Sequence, residues 1–154
     1  MSDAPPVEIR PLVETDREPW ARLWKGYLDY YETELPEAVH GASFARMLEG
    51  NAGARGEFRG LLALVNGTPS GLVHFLYHRH GWKLEDVCYL QDLYVDPAVR
   101  GTGLGRRLIE AVYADADASG APSVYWLTQD FNAAGRRLYD RVGTLTPFIK
   151  YARG

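Results

Sequence analysis

Apolar positions along the chain change their spacing several times, and each change marks a new element. Val7 and Ile9 alternate with polar residues ahead of Pro11, which predicts a short edge strand over Val7 to Val13, where a proline is tolerated. Thr15 and Glu18 have the spacing of a capping box, and Trp20, Leu23, Trp24, Tyr27, Leu28 and Tyr31 then recur at helical spacing. Pro36 ends whatever continues from this helix. A second, short helix is predicted over Ser43 to Leu48, closed by Gly50, with a glycine-rich loop over residues 50–56.

Phe58 to Val65 and Gly71 to Tyr77 are apolar, β-rich runs on either side of Asn66-Gly67-Thr68-Pro69-Ser70, the pattern of a hairpin. A third strand is predicted over Val87 to Val95. Leu104, Leu108, Ile109 and Val112 then mark a helix that stops near Gly120, Ser123 to Thr128 reads as a strand, and Asn132 caps a helix carrying Leu138 and Val142. Thr146 to Tyr151 is the expected last strand. A meander followed by strand, helix, strand, helix, strand predicts a mixed α/β domain: a central, mostly antiparallel sheet flanked by about four helices.

Composition narrows the class. The 154 residues are 46% hydrophobic and 24% charged, enough for one packed domain over 1–154 and too little for two. With 5 Phe, 4 Trp and 10 Tyr, the chain is not expected to be disordered. A lone cysteine, Cys88, closes no disulfide within the chain and suits a reducing, cytoplasmic setting. Met1 to Pro11 is polar and proline-rich, and no apolar run approaches about 18 residues, so neither an export signal nor a membrane span is expected. Asn66-Gly67-Thr68 accordingly reads as turn chemistry rather than a glycosylation site.

The net charge of −3 argues against nucleic acid as a partner, but the charge is unevenly spread. Residues 1–99 hold 9 Lys and Arg against 15 Asp and Glu, whereas residues 100–154 hold 8 against 5. An anionic ligand would favour the second part.

That part opens with Asp92-Leu-Tyr-Val-Asp-Pro-Ala-Val-Arg-Gly-Thr-Gly-Leu-Gly-Arg-Arg-Leu108, which runs strand, turn, glycine-rich loop, helix. Gly101, Gly103 and Gly105 permit close backbone approach, and the free amides at a helix start favour phosphate. A nucleotide-hydrolysing P-loop would need Gly-Lys-Ser/Thr, and here Gly105 precedes Arg106 and Arg107. A dinucleotide fingerprint needs a small residue where Arg106 stands. The remaining pattern, Arg-x-x-Gly-x-Gly from Arg100 to Gly105, resembles the coenzyme A signature of the GNAT acyltransferase superfamily.

A second match lies downstream. Val124 to Gly143, with Asn132 at a helix start and Leu138-Tyr139-x-x-x-Gly143 at its end, is similar to the same superfamily. The runs Leu23 to Tyr31 and Cys88 to Val95 resemble a subgroup of histone, polyamine and D-amino-acid N-acetyltransferases. The resemblance implies that Leu93, Tyr94 and Val95 face the pantetheine arm of acetyl-CoA. It also implies that Arg100, Gly101, Thr102, Gly103, Leu104, Gly105 and Arg106 hold the pyrophosphate. Asn132 matches an asparagine beside the pantetheine, and Tyr139 a tyrosine facing the sulfur; seven positions apart, the two share one helix face.

The implied activity is acetyl-CoA-dependent N-acetylation of a primary amine on a small molecule or peptide, by direct attack in a ternary complex. A non-catalytic acyl-CoA sensor or interaction module is the alternative. Tyr139 suits the acid that protonates the departing thiolate. The base is harder to assign, because Gln91 stands where polyamine acetyltransferases of this look carry a glutamate, and an amide takes no proton. Asp92 is adjacent but points to the opposite strand face unless a bulge re-aims it.

Neutralising a lysine-like ammonium at pH 7 costs roughly 4–5 kcal/mol, against roughly 1 kcal/mol for an α-amine, so the base matters most for the former. Asp29, Glu32, Glu34 and Glu37 cluster after the first helix and fit either a cationic acceptor or a solvated acidic turn. Trp24, Tyr27 and Tyr30 are candidates to line the acceptor cleft, although Trp24 and Tyr27 also belong to the apolar stripe. His74, His78 and His80 read as a surface histidine face, with no metal expected. Cys88 is expected to be buried rather than to carry an acyl group. The final strand and the open sheet edges allow a homodimer.

Overall fold

The computed structural model describes residues 4–154. Its sheet has the order β1-β2-β3-β4-β5. Strands β1 (Val7–Pro11), β2 (Arg59–Val65), β3 (Thr68–His78) and β4 (Val87–Val95) are antiparallel, and β5 (Val124–Tyr125) runs parallel to β4. Asn66 and Gly67 turn β2 into β3 with φ of 52° and 79°, which explains the Asn-Gly pair.

Alternation along the strands builds two cores. Leu62 and Leu72 pack under helices α1 (Arg17–Tyr30) and α2 (Glu37–Asn51) with Trp20, Leu23, Phe44 and Met47. Val73, Phe75, Cys88 and Leu90 face α3 (Leu104–Ala118), whose Leu104, Leu108, Ile109 and Val112 are fully buried. Helix α4 (Ala133–Val142) lies beside α3 through the half-buried Leu138 and Tyr139.

One irregularity positions the site. His74 pairs with Asp92 and Phe75 with Leu90, so Gln91 is an extra residue in β4. Before this bulge Cys88 and Leu90 face α3; after it Leu93 and Val95 do, and Asp92 turns to the α1 side, where it meets His74. A regular strand would have sent Asp92 into the α3 core.

Several expectations are corrected. The Thr15–Glu18 capping box does not form: a 3-10 turn over Glu14–Asp16 leads into α1, and the Asp16 carboxylate accepts from the Val13 amide at 2.8 Å. The second helix is 15 residues long, not the six of Ser43 to Leu48, because Pro36 starts it with its φ fixed at −62° rather than ending a helix. It also takes in Gly50 and Asn51 from the expected loop. Strand β5 is two residues rather than Ser123 to Thr128, since the chain diverges from β4 after Tyr125. Thr146 to Tyr151 forms no strand; β5 offers only a two-residue edge, and Leu145, Phe148, Ile149 and Tyr151 are exposed.

The surface histidine face is corrected as well. His74 is 4% exposed and packs against Trp20 and Trp24, and only His78 and His80 approach the surface. Among the described residues no helix is long and apolar enough to cross a membrane.

Candidate active site

Two features meet where β4 runs out into α3. The first is a row of unpartnered amides. After β4, Asp96 caps a 3-10 turn over Pro97–Val99 by accepting from the Ala98 amide at 2.9 Å. Gly101 and Gly103 then adopt φ of 81°, where a Cβ would be strained, and Gly103 starts α3. The first backbone bond beyond this loop runs from the Arg107 amide to the Gly103 carbonyl at 3.1 Å. Among the described residues the six N–H groups from Gly101 to Arg106 therefore have no protein partner. They sit on the positive end of the α3 dipole.

The side chains of this loop are partly committed. Arg100 donates from Nε to the Val95 carbonyl at 3.2 Å, and its guanidinium lies 5.8 Å from the Tyr94 ring centre. Thr102 Oγ1 donates back to the Val99 carbonyl at 2.6 Å, so this hydroxyl shapes the loop. Arg106 pairs with Glu110 at 2.8 Å along α3. Gly105 lets α3 approach α4: a Cβ there would lie 3.3 Å from Leu138.

The second feature is a cleft. β4 and β5 pair only at Cys88 with Val124 and Tyr89 with Tyr125, and beyond that point they part. The gap is lined by Leu90, Gln91 and Leu93 from β4, by Trp126, Leu127 and Thr128 from the chain after β5, and by Tyr27, Tyr31 and Tyr139 from the helices and the turn after α1. Tyr139 meets the Trp126 ring edge-on at 5.7 Å, and burial first, then the neighbouring Tyr31 and Tyr30, pushes its phenol upward. It stays protonated at neutral pH and keeps a proton to give.

Behind Tyr27 lies a buried polar chain. Trp20 Nε1 donates to His74 Nε2 at 3.0 Å, and His74 Nδ1 lies 3.0 Å from Asp92 Oδ2. Burial, and then the facing Asp92 carboxylate, pushes the Tyr27 phenol upward. Asp92 does not itself line the cleft; Tyr27, Gln91 and Leu93 do.

The structure thus brings Gln91, Leu93, Tyr27 and Tyr139 together, with the amide row adjoining through Tyr94 and Val95. Tyr94 crosses over α1, where a Cβ on Gly26 would fall 2.4 Å from its hydroxyl. Asn132 is occupied as a cap: its Oδ1 accepts from the Gly135 amide at 3.1 Å and its Nδ2 donates to Thr128 Oγ1 at 3.0 Å, fastening α4 to the cleft wall. Trp24 is core, stacked 4.8 Å from Tyr27 and only 8% exposed, so the expectation that it lines the cleft is corrected. Tyr30 and Glu32 lie exposed at the end of α1, outside the cleft lining. The acidic cluster is partly spent, with Asp29 paired to Lys25 at 2.7 Å and Glu37 bonded to Arg17.

Tyr31, Trp126, Thr128 and the inward role of His74 were missed from the sequence. Only the β3–β4 pairing with its bulge joins His74 to Asp92. Cys88 is fully buried, and burial pushes its thiol up to about 12. Among the described residues no three His, Cys, Asp or Glu side chains gather as a metal set.

The diverging β4–β5 pair lies beside the free amides at the start of α3, and a family comparison says what kind of protein carries this arrangement. Residues 20–144 match the model of the acetyltransferase (GNAT) family, and the chain belongs to that family. It is an acetyl-CoA-dependent N-acetyltransferase. The D-amino-acid N-acetyltransferase HPA3 of Saccharomyces cerevisiae is 36% identical over 149 residues, spanning 96% of this chain and 90% of that protein. A thialysine N-epsilon-acetyltransferase of Caenorhabditis elegans is 30% identical over 83 residues, covering 54% of this chain and 51% of its own. Among solved structures, AAC(6')-Iy bound to the bisubstrate analog CoA-S-monomethyl-acetylneamine superposes with a TM-score of 0.82 at 20% identity, over 97% of this chain and 98% of that one.

Proposed function

We propose that the chain acetylates the primary α-amine of a small, amino-acid-like acceptor by direct attack, with both substrates held at once in the cleft between β4 and β5. The observation that carries this reading is the junction of six unpartnered amides with a cleft that presents the half-buried Tyr27 and Tyr139. The amide row and Arg100 fit a diphosphate, and the gap beside Leu93 fits a narrow pantetheine arm. Bound acetyl-CoA supplies the activated acetyl thioester.

The chain's own groups do the rest. Beyond Tyr89 the outer edge of β4 faces the cleft rather than a strand, so its amides are free to polarise a carbonyl oxygen as charge develops there. Tyr139, kept protonated by burial, gives a proton to the departing sulfur. Gln91 holds no base, and Asp92 takes the amine's proton from behind, through the Tyr27 hydroxyl or a water. An α-amine, which costs roughly 1 kcal/mol to neutralise at pH 7, suits so indirect a base better than a lysine-like amine at roughly 4–5 kcal/mol. The likeness to a D-amino-acid N-acetyltransferase over nearly the whole chain supports the same acceptor class.

A cytoplasmic setting is part of this reading, supported by the free, buried thiol of Cys88. So is a homodimer, supported by the exposed apolar side chains of residues 145–151.

The test is release of coenzyme thiol across an amine panel: amino acids of both configurations, thialysine, polyamines and a lysine peptide. Amino acids are expected to give the highest kcat/KM, with intersecting initial-velocity lines. Tyr139→Phe is expected to lower kcat about 100-fold while calorimetric affinity for acetyl-CoA is unchanged. Binding of acetyl-CoA with no turnover on any amine would overturn the reading in favour of a sensor.

A further inference from the structure

The Trp20–His74–Asp92 chain permits one protonation pattern. An indole N–H only donates, so His74 Nε2, 3.0 Å from Trp20 Nε1, must accept and carry no hydrogen. The remaining hydrogen of the imidazole then sits on Nδ1 and is donated to Asp92 Oδ2 at 3.0 Å. Adding a second proton to His74 would require expelling the Trp20 N–H from a site where both rings are buried.

We propose that Trp20 locks His74 in its neutral Nδ1–H form, which makes His74 a positioning residue that aims Asp92 toward Tyr27 without cancelling its charge. This rests on Asp92 serving as the base. The groups facing Asp92 are Tyr27 and Tyr31 from α1, Tyr89 from its own strand and His74 from β3. Among the described residues no lysine or arginine forms an ion pair with it. Were His74 an imidazolium, it would neutralise Asp92; as a neutral donor it orients one carboxylate oxygen and leaves the other for a proton. A proton leaving the amine then moves to the Tyr27 oxygen as the Tyr27 proton moves to Asp92, so that Tyr27 ends neutral and Asp92 ends as the acid. His74 takes no proton, because its only free lone pair holds the indole.

Nitrogen-detected NMR of the imidazoles in the full-length wild type tests the lock directly. His74 is expected to show a protonated Nδ1 and a bare Nε2 at about pH 7.5. Protonation of Nε2 at that pH would overturn the proposal. Trp20→Phe, which removes the indole donor, is expected to let the imidazole hydrogen distribute over both nitrogens, read as averaged nitrogen shifts. His74→Asn, which keeps a donor toward Asp92, is expected to retain most activity, whereas His74→Leu is expected to lose about 100-fold in kcat with the KM for acetyl-CoA unchanged. Equal losses in the two His74 variants would overturn the positioning role. The two readings fail separately: an Asp92→Asn enzyme with wild-type kcat/KM and pH profile removes the base, whereas an Nε2-protonated His74 removes the lock alone.

Discussion

The carboxylate of Asp16 accepts two hydrogen bonds from the Arg10 guanidinium, at 2.7 and 3.0 Å, and a third from the Val13 amide. It ties β1 to the start of α1, the helix that carries Trp20 and Tyr27 to the site. The Arg10 hydrogen bond holds the Asp16 carboxyl below its ordinary range. A depressed carboxyl contributes stability that is present above its ordinary pKa of about 4 and is lost as pH falls through the depressed value. Asp16→Asn is therefore expected to cost about 2 kcal/mol at pH 7, with the difference from wild type narrowing toward pH 3. Thermal melts at both pH values check this; a constant difference would exclude an ionic contribution. At this scale the Asn132 cap and the helical place of Tyr139 were legible, because a cap and an apolar repeat are local patterns; their roles toward the coenzyme belong to the proposal. The contact of His74 with Asp92 was not legible, since it depends on a single extra residue, Gln91, in a strand whose composition is uniformly β-like.

Among elements, helices α1 and α3 were legible from their apolar repeats, and β4 has the predicted bounds. Helix α2 was read too short because Glu37 to Ala42 offers no apolar stripe; Pro36 and the burial of Phe44 and Met47 set its length instead. Its glycines answer to different constraints. A Cβ at Gly50 would fall 1.8 Å from the Phe58 carbonyl oxygen, backbone that must move, whereas one at Gly41 meets nothing within 4 Å. Gly50→Ala is expected to destabilise by about 3 kcal/mol, and Gly41→Ala to stabilise by about 1 kcal/mol. Urea titration of both variants measures the two signs in one experiment. The brevity of β5 had no signal in Ser123 to Thr128, since divergence of two strands is a property of the sheet rather than of either segment.

For the whole molecule, charge and architecture agree: the amide row lies in the part of the chain with a positive balance. The residues expected to close the sheet expose Phe148 at 82% and Tyr151 at 89% instead, beside Leu145 and Ile149. Apolar side chains so exposed and so closely spaced in sequence fit burial against a second copy. Sedimentation is expected to show a dimer at micromolar concentration, and Phe148→Asp with Ile149→Asp is expected to halve the mass. A monomeric wild type would remove the dimer from the proposal. Such pairing leaves no local trace in one chain's sequence beyond the apolar run that reads as a strand.

Cys88, the one sulfhydryl in the chain, is sealed under α3. A colorimetric reagent that counts liberated coenzyme therefore meets no competing sulfur while the enzyme is intact. Once the domain opens, the same dye finds one equivalent per polypeptide, so a single absorbance trace reports turnover and denaturation in succession.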